Sequence, residues 1–144
     1  MVKQSRNTSA LVQEKPKLIL SAIQLSSGSN VDNNLASIAQ QLRLLTRQFD
    51  DTDTLHAIAV ESPYQYLVVL PECCLFFGTR DGEQLRLAKR TVENNLLEQG
   101  LATLAKKFGV YLVAGSIPLL NEASSKFTNS SCVFSPQGEK LGQY

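Results

Sequence analysis

The residue most informative about chemistry is Glu72, which directly follows an apolar segment and a proline. Tyr66–Leu70 is short and apolar, so we expect a buried strand, and Pro71 ends it because proline has no N–H to donate to a sheet. Glu72 would then lie at the carboxyl end of a strand, where ligand sites gather in open α/β sheets. A carboxylate at the edge of an apolar core is suited to act as a general base. From position alone, a solvent-facing glutamate at an ordinary strand-to-loop junction is the more common interpretation.

The three cysteines are the other candidates for chemistry. Cys73 and Cys74 directly follow the candidate base, and neighbouring side chains on an extended backbone point to opposite sides. We therefore expect neither to present its sulfur to Glu72 and to a substrate together. Cys132 lies in the middle of a predicted strand and is interpreted as packed core. A redox or soft-metal site at the adjacent pair is the alternative.

The pattern of metal-binding residue types predicts neither a metal site nor a disulfide framework. Three cysteines, two of them adjacent, are a poor basis for disulfides and favour a reducing compartment. No Cys-x-x-Cys spacing occurs, so we expect no structural zinc site. His56 lies in an acidic connection over residues 50–65, where a histidine is usually solvated and has no catalytic role.

Other side chains near Glu72 or on the surface have two interpretations. Phe76 and Phe77 follow the glutamate closely, and they either line a substrate pocket or pack in the core. The remaining charged candidates are surface residues that we assign to no substrate carboxylate: Arg80, Lys126 and Lys140.

The elements that would position Glu72 begin with a strand and a helix. Leu18–Leu25 is short, apolar and bounded by polar residues, which predicts a buried strand. An apolar stripe over residues 31–49 predicts an amphipathic helix, with Ser29 or Asn30 placed to cap it. After Tyr66–Leu70, residues 72–82 are predicted as a loop with turns.

A second helical region is predicted downstream of that loop. The apolar stripe over Leu97–Phe108 indicates a helix, and Gly109 is well placed to end it. Gly100 lies within this helix and should cost it about 1 kcal/mol relative to alanine.

Three further strands are predicted, giving the order β-α-β-α-β-β-β. They are Val110–Pro118, Phe127–Ser135 and Glu139–Tyr144, with a turn at residues 135–138 between the last two. This is an α/β pattern whose first three strands we expect to be parallel. Its helices suffice to cover only one face of the sheet. More chain or a partner subunit must therefore cover the other face.

Composition indicates one domain and excludes several classes of partner. Hydrophobic residues make up 43% of the 144 residues, enough for a packed core. The net charge of +1 gives no electrostatic reason to expect nucleic acid or an anionic membrane as a partner. No apolar run approaches the roughly 20 residues that span a bilayer.

Residues 1–17 are polar and basic and are predicted as a disordered leader, with an organelle-targeting peptide as the alternative. Residues 18–144 are predicted to form the domain.

The string Leu70-Pro71-Glu72 resembles the segment that carries the catalytic glutamate in the nitrilase superfamily of carbon–nitrogen hydrolases. Leu-Pro-Glu alone is a weak signal, but similar segments occur in the family's order along residues 18–144. They are Ala22-Ile23-Gln24, Asn34-Leu35, Leu112–Pro118, Thr128–Ser131 and Phe134–Tyr144. The third strand and the following hairpin most resemble the branch that hydrolyses deaminated glutathione and related ω-amides.

The resemblance implies an α-β-β-α sandwich, of which these residues form the first half, and a mechanism that uses glutamate, lysine and cysteine. Only Glu72, as general base, falls within the 144 residues. The family's lysine comes just after a tyrosine like Tyr144, and its cysteine lies further downstream. We therefore expect an amidase for a small linear amide in the full-length protein and no activity in this chain alone. The resemblance further implies no cofactor and a homodimer. The cysteine pattern and the lack of an apolar signal segment favour a cytoplasmic location, with a mitochondrial one as the alternative.

Two other hypotheses stay open. A truncated, non-catalytic form could dimerise with a full-length sibling. A flavodoxin-like binding domain is disfavoured, because Ser26–Ser29 is too short and generic for a phosphate-binding loop.

Overall fold

The computed structural model of the chain describes residues 16–49, 64–78, 80, 82–121 and 123–144. The helices and strands in these ranges are β1 Lys17–Ala22, α1 Val31–Phe49, β2 Tyr64–Val69, α2 Glu83–Thr91, α3 Leu96–Phe108, β3 Tyr111–Val113, β4 Ile117–Asn121, β5 Lys126–Ser130, β6 Cys132–Phe134 and β7 Lys140–Gln143. The predicted α/β class is confirmed. His56, most of its predicted connection and residues 1–15 of the predicted leader lie outside the described residues.

The strands form one five-stranded sheet and one two-stranded sheet. The large sheet has the order β1-β2-β3-β6-β7. Strands β1, β2 and β3 are parallel, as predicted, whereas β6 and β7 are antiparallel to their neighbours. Strands β4 and β5 form a separate antiparallel hairpin. The strand that precedes Glu72 therefore lies between two parallel neighbours.

The third and fourth predicted strands were each expected to be continuous, and this prediction was wrong. The chain leaves the large sheet after Val113 and returns at Cys132, so that Val110–Pro118 and Phe127–Ser135 each contribute to both sheets. The two places where the chain passes between the sheets are hydrogen-bonded to each other. Ala114 N–H donates to Cys132 O (2.8 Å), and Ser131 Oγ donates to Ala114 O (2.6 Å). Small and polar residues lie at both bends, Gly115 and Ser116 at the first and Ser130 and Ser131 at the second, and a glycine within an apolar run is a weak sign of such a bend.

The predicted helix over residues 31–49 is confirmed with the same bounds. Asn30 caps it, since its Oδ1 accepts the N–H of Asn33 (2.9 Å). At the end of α3, Gly109 has a φ of 64°, the left-handed conformation expected of a residue that ends a helix.

The predicted order contained two helices, and the described residues contain a third, α2. Its sequence, EQLRLAKRT, is strongly polar, and only Leu87, Ala88 and Thr91 are buried. Such a short apolar stripe does not distinguish a helix from a polar loop.

The core lies between the helices and one face of the large sheet. On this face, the side chains of the central strands are buried, among them Val68, Leu112 and Phe134. Helices α1 and α3 supply the opposing side chains, which include Ile38, Leu42, Leu97 and Leu101.

The turn at residues 135–138 is confirmed, with Gly138 N–H donating to Ser135 O (2.9 Å).

The other face of the sheet is open in the described part of the chain. Leu18 and Leu20 are 57% and 70% exposed, and Val69 on the neighbouring strand is 42% exposed. Leu20 pairs with Leu67 in the parallel ladder, so these side chains share one face. The prediction that helices cover only one face is confirmed. The expectation that the first strand is buried was wrong for these two leucines, because they point away from the helices.

The strand bounds differ from the predicted ones by a few residues. Strand β1 ends at Ala22, three residues before the predicted Leu25, although Ile23 N–H still donates to Val69 O (3.0 Å). Strand β2 begins at Tyr64, two residues before the predicted start. Among the described residues, no helix is long and apolar enough to cross a membrane.

Candidate active site

Glu72 is the first residue of a turn, residues 72–75, that follows β2. Leu70 N–H donates to Val113 O (2.9 Å), which extends the pairing with β3 almost to the turn. Glu72 lies at the carboxyl end of a central strand, as expected, and its side chain is exposed, as in the solvent-facing interpretation. Within the described part of the chain it makes no hydrogen bond or ion pair, so its carboxylate is free to accept a proton from a reacting group.

The backbone of this turn is bonded to two neighbouring loops. Cys73 N–H donates to Ser116 Oγ (2.9 Å), which lies in the loop after β3. Ser27 Oγ, in the loop after β1, donates to Cys74 O (3.2 Å). Cys73 has a φ of 52°, a left-handed conformation that is uncommon for a residue other than glycine. The loops after β1 and β3 therefore hold the residues that follow Glu72.

Asn34, in the first turn of α1, joins the loops after β1 and β2. Its Nδ2 group donates to Gly28 O (2.8 Å) and to Leu75 O (2.8 Å). Its Oδ1 accepts the N–H of Gly28 (3.0 Å). The residue is only 6% exposed, so these bonds satisfy a buried amide that would otherwise be costly.

Gly115 allows the loop after β3 to approach the residue before Glu72. A Cβ at this position would lie 2.0 Å from Pro71 O and 2.3 Å from Leu70 O. Both are backbone atoms that cannot move aside cheaply. Only glycine therefore permits this approach, which brings Ser116 next to the turn.

The prediction that Cys73 and Cys74 lie on extended backbone, with side chains on opposite sides, was wrong. Cys73 and Cys74 lie in a turn and not on extended backbone. Cys74 is fully buried, and this burial raises the pKa of its thiol to about 11, so it is a poor nucleophile near neutral pH. Cys73 is half-buried, and its Sγ accepts a hydrogen bond from Gln84 Nε2 (3.7 Å). Cys132 is buried in β6, where desolvation raises the pKa of its thiol.

Within the described residues, the charged surface candidates make no hydrogen bond or ion pair to the Glu72 turn. Lys140 Nζ binds Glu98 Oε1 (2.7 Å), which joins β7 to α3, and this hydrogen bond raises the pKa of the lysine. Lys126 and Arg80 are exposed. No group of three or more acidic, cysteine or histidine side chains that could hold a metal ion occurs in the described residues.

A cavity of about 490 Å³ adjoins the loop that carries Glu72. Phe76, Ser29 and Leu87 line it together with four ionic side chains, Glu83, Arg86, Lys89 and Arg90. Phe77, by contrast, is exposed. Of the two aromatic residues proposed to line a pocket or pack in the core, Phe76 does both. The three cations suit the cavity to a ligand that carries a carboxylate.

Several residues of this site were not selected from the sequence as functional. Asn34 and Ser116 stood out only as parts of segments that resemble the family, and Arg86, Lys89 and Arg90 not at all. The available signal was weak, because an asparagine at the start of a helix and cations on a polar helix are common on protein surfaces.

Comparison with known proteins places this arrangement in a family. Residues 13–144 match the carbon-nitrogen hydrolase family. The chain belongs to this family, and the predicted nitrilase-superfamily resemblance and fold class are confirmed.

Relatives indicate the part of the family that the chain is similar to. It is 29% identical over 123 residues to the deaminated glutathione amidase of Yersinia enterocolitica, covering 85% of this chain and 37% of that protein. It is 30% identical over 141 residues to the omega-amidase NIT3 of Saccharomyces cerevisiae, covering 96% and 43%. The crystal structure of Saccharomyces cerevisiae Nit3, a member of branch 10 of the nitrilase superfamily, superposes with a TM-score of 0.62 at 28% identity, covering 85% and 41%. The chain therefore spans about two fifths of the length of the relatives that it matches.

Proposed function

We propose that the full-length protein is an amidase that hydrolyses the C–N bond of a small linear amide, with Glu72 as general base. The observation that carries this proposal is the exposed Glu72 carboxylate at the carboxyl end of a central strand, on a turn bonded to the loops of two neighbouring strands. Family membership supports the reaction class.

The proposed reaction follows the family resemblance. The glutamate takes the proton of a cysteine thiol, and the thiolate attacks the amide carbonyl to form a tetrahedral intermediate. A lysine stabilises the oxyanion, ammonia leaves with the transferred proton, and water then releases the acid from the thioester. The resemblance implies that this lysine and this cysteine follow Tyr144, and of the three cysteines present Cys74 and Cys132 are buried and Cys73 is half-buried. We therefore expect the chain alone to be inactive.

We propose a carboxylate-bearing amide of the deaminated glutathione or ω-amide type as the substrate. The names of the relatives support this choice. The basic cavity next to Phe76 supports it independently, because Arg86 and Arg90 offer charge-assisted hydrogen bonds to a carboxylate. The homodimer and the cytoplasmic location remain predictions.

Replacement of the glutamate tests the proposal. In the full-length protein, Glu72→Gln should lower kcat for ammonia release at least about 100-fold, because an amide cannot accept the thiol proton. Glu93→Gln is the matched control, since Glu93 is also exposed but lies between α2 and α3. Activity of the Glu72→Gln protein near that of the wild type would rule out the proposed role.

A second experiment asks where the remaining groups come from. The coding sequence should be read past Tyr144, and purified residues 1–144 should be assayed for amidase activity. A lysine shortly after Tyr144 and a cysteine further on would support the amidase. Measurable hydrolysis by residues 1–144, with host amidase excluded, would contradict the expectation that they are inactive alone.

The open sheet face favours one other function. A protein of these 144 residues could be non-catalytic and dimerise with a full-length copy through the face that carries Leu18 and Leu20. Reduced activity of the full-length protein on addition of residues 1–144 would support this alternative.

A further inference from the structure

We infer that Ser116 is a positioning residue for Glu72, acting through the backbone of Cys73; this inference rests on the proposed function. The Ser116 hydroxyl accepts the N–H of Cys73 (2.9 Å), the residue directly after the proposed base. In the part of the chain that the structure describes, no other side chain bonds to the backbone of Glu72 or Cys73.

The backbone conformation at Cys73 shows why such a bond is needed. With a φ of 52°, Cys73 occupies a left-handed conformation that is unfavourable for residues other than glycine. A strained residue of this kind persists only where its surroundings fix it, and such residues cluster at active sites. The hydrogen bond that the Cys73 N–H donates to Ser116 Oγ fixes the strained residue on the side next to Glu72.

Ser116 is itself rigidly held, which a positioning role requires. It is 4% exposed, and Gly115 before it lies against the Pro71 carbonyl, at the other end of Glu72. Its own carbonyl accepts a weak hydrogen bond from Cys74 Sγ (3.9 Å). The loop after β3 therefore contacts the chain on both sides of Glu72.

Loss of the hydroxyl should act on catalysis more than on binding. Without it, the Cys73 N–H loses its partner and the turn can relax to a less strained conformation, which moves the Glu72 carboxylate. A base that is misplaced by about 1 Å can slow a reaction about 100-fold. The cavity next to Phe76 lies on α2 and the loops before it, which Ser116 does not contact by hydrogen bonds, so substrate affinity should change little.

The test compares Ser116→Ala, Ser116→Thr and Ser37→Ala in the full-length protein. Ser37 also bonds to backbone, at Asn33 O (3.0 Å), but lies on the outside of α1. Ser116→Ala should lower kcat about 10- to 100-fold with KM within about twofold. Ser116→Thr keeps the hydroxyl and should restore most of kcat, and Ser37→Ala should match the wild type. Hydrogen exchange of the peptide spanning residues 70–77 should accelerate in Ser116→Ala only.

The outcomes separate this inference from the proposed function. If Glu72→Gln is active, the proposed function fails first. If Glu72→Gln is inactive but Ser116→Ala keeps the wild-type kcat, the positioning inference is overturned and the proposed function stands. Should Ser116→Thr fail to fold, the exchange data for Ser116→Ala decide, and unchanged protection over residues 70–77 overturns the inference.

Discussion

Glu72 reaches solvent from a turn whose backbone is bonded to two serine hydroxyls and to a buried asparagine. A general base has to be accessible to its substrate and yet fixed in position. Here the Glu72 side chain is accessible to solvent, and the hydrogen bonds to the backbone of the three residues after it hold the turn in place. The contrast with Cys74 is chemical as well as geometric, because the thiol two residues away is buried and hard to ionise.

The burial of Cys74 predicts a loss of stability at alkaline pH. Burial raises the pKa of its thiol from 9.0 to about 11, so between these values the unfolded chain has lost a proton that the folded chain keeps. The contribution of this thiol to the free energy of unfolding is therefore fully present below about pH 9. It falls by about 2 to 3 kcal/mol as pH rises through about 11.

Urea unfolding of residues 1–144 at about pH 8 and about pH 11 measures this effect. Because Cys74→Ala lacks the thiol, it should show a decline smaller by about 2 to 3 kcal/mol than the wild type. An equal decline in both proteins over this range would contradict the assignment to Cys74.

The basic cavity predicts a selective effect on substrate affinity. In the full-length protein, Arg86→Ala and Arg90→Ala should each raise KM for a carboxylate-bearing amide about tenfold, because a charge-assisted hydrogen bond is lost. A neutral amide of similar length should be unaffected, and Lys126→Ala, an exposed lysine outside this cavity, serves as the control. Equal effects on both amides would show that these arginines do not bind the carboxylate.

At the scale of elements, the packing of α1 against α3 depends on Gly100. A Cβ at this position would lie 3.0 Å from Leu35 Cδ1 and 3.1 Å from Leu35 Cδ2. The glycine that weakens α3 by its low helix propensity therefore also lets the two helices approach. Its position in a helix looked like a simple cost in the sequence, whereas the structure shows the contact that offsets it.

A double-mutant cycle measures this balance in residues 1–144. Gly100→Ala alone should change the free energy of unfolding by less than about 1 kcal/mol, because the gain in helix propensity is offset by crowding of Leu35. In a Leu35→Ala background, the same change should stabilise by about 1 kcal/mol. Urea unfolding would refute the explanation if Gly100→Ala had the same effect in both backgrounds.

At the scale of the whole molecule, the sheet has one face packed against helices and one face open in the described residues. The family resemblance implies a sandwich in which a second sheet packs on the first. The exposed leucines of β1 are apolar enough to belong to such an interface. Residues 1–144 in isolation would expose them to water.

We expect purified residues 1–144 to self-associate through this face in a concentration-dependent way. Leu20→Lys should reduce the association, because it places a charge on this apolar face. Leu44→Lys is the matched control, since Leu44 is 57% exposed but lies on the outside of α1. Sedimentation velocity measures both. A wild-type chain that stays monomeric at high concentration, or equal effects of the two variants, would contradict this role of the open face.

The sequence by itself determined the features that depend on local pattern. The apolar stripe defined α1 from Val31 to Phe49, and Gly109 defined the end of α3. The cap of α1 was narrowed to Ser29 or Asn30, and the apolar run before Pro71 placed Glu72 at the end of a strand. Each of these depends on residues a few positions apart, so the local sequence contains the whole signal.

Contacts between distant segments decided the rest. At the bend after Val113, Gly115 lies against the Pro71 carbonyl, more than forty positions away, and the left-handed Cys73 donates its N–H to Ser116 Oγ. Likewise, burial of the first strand depends on which face the helices cover, and the apolar pattern of Leu18–Leu25 is the same on either side. Periodicity indicates which side chains prefer burial, but only the tertiary structure determines which of them find a partner.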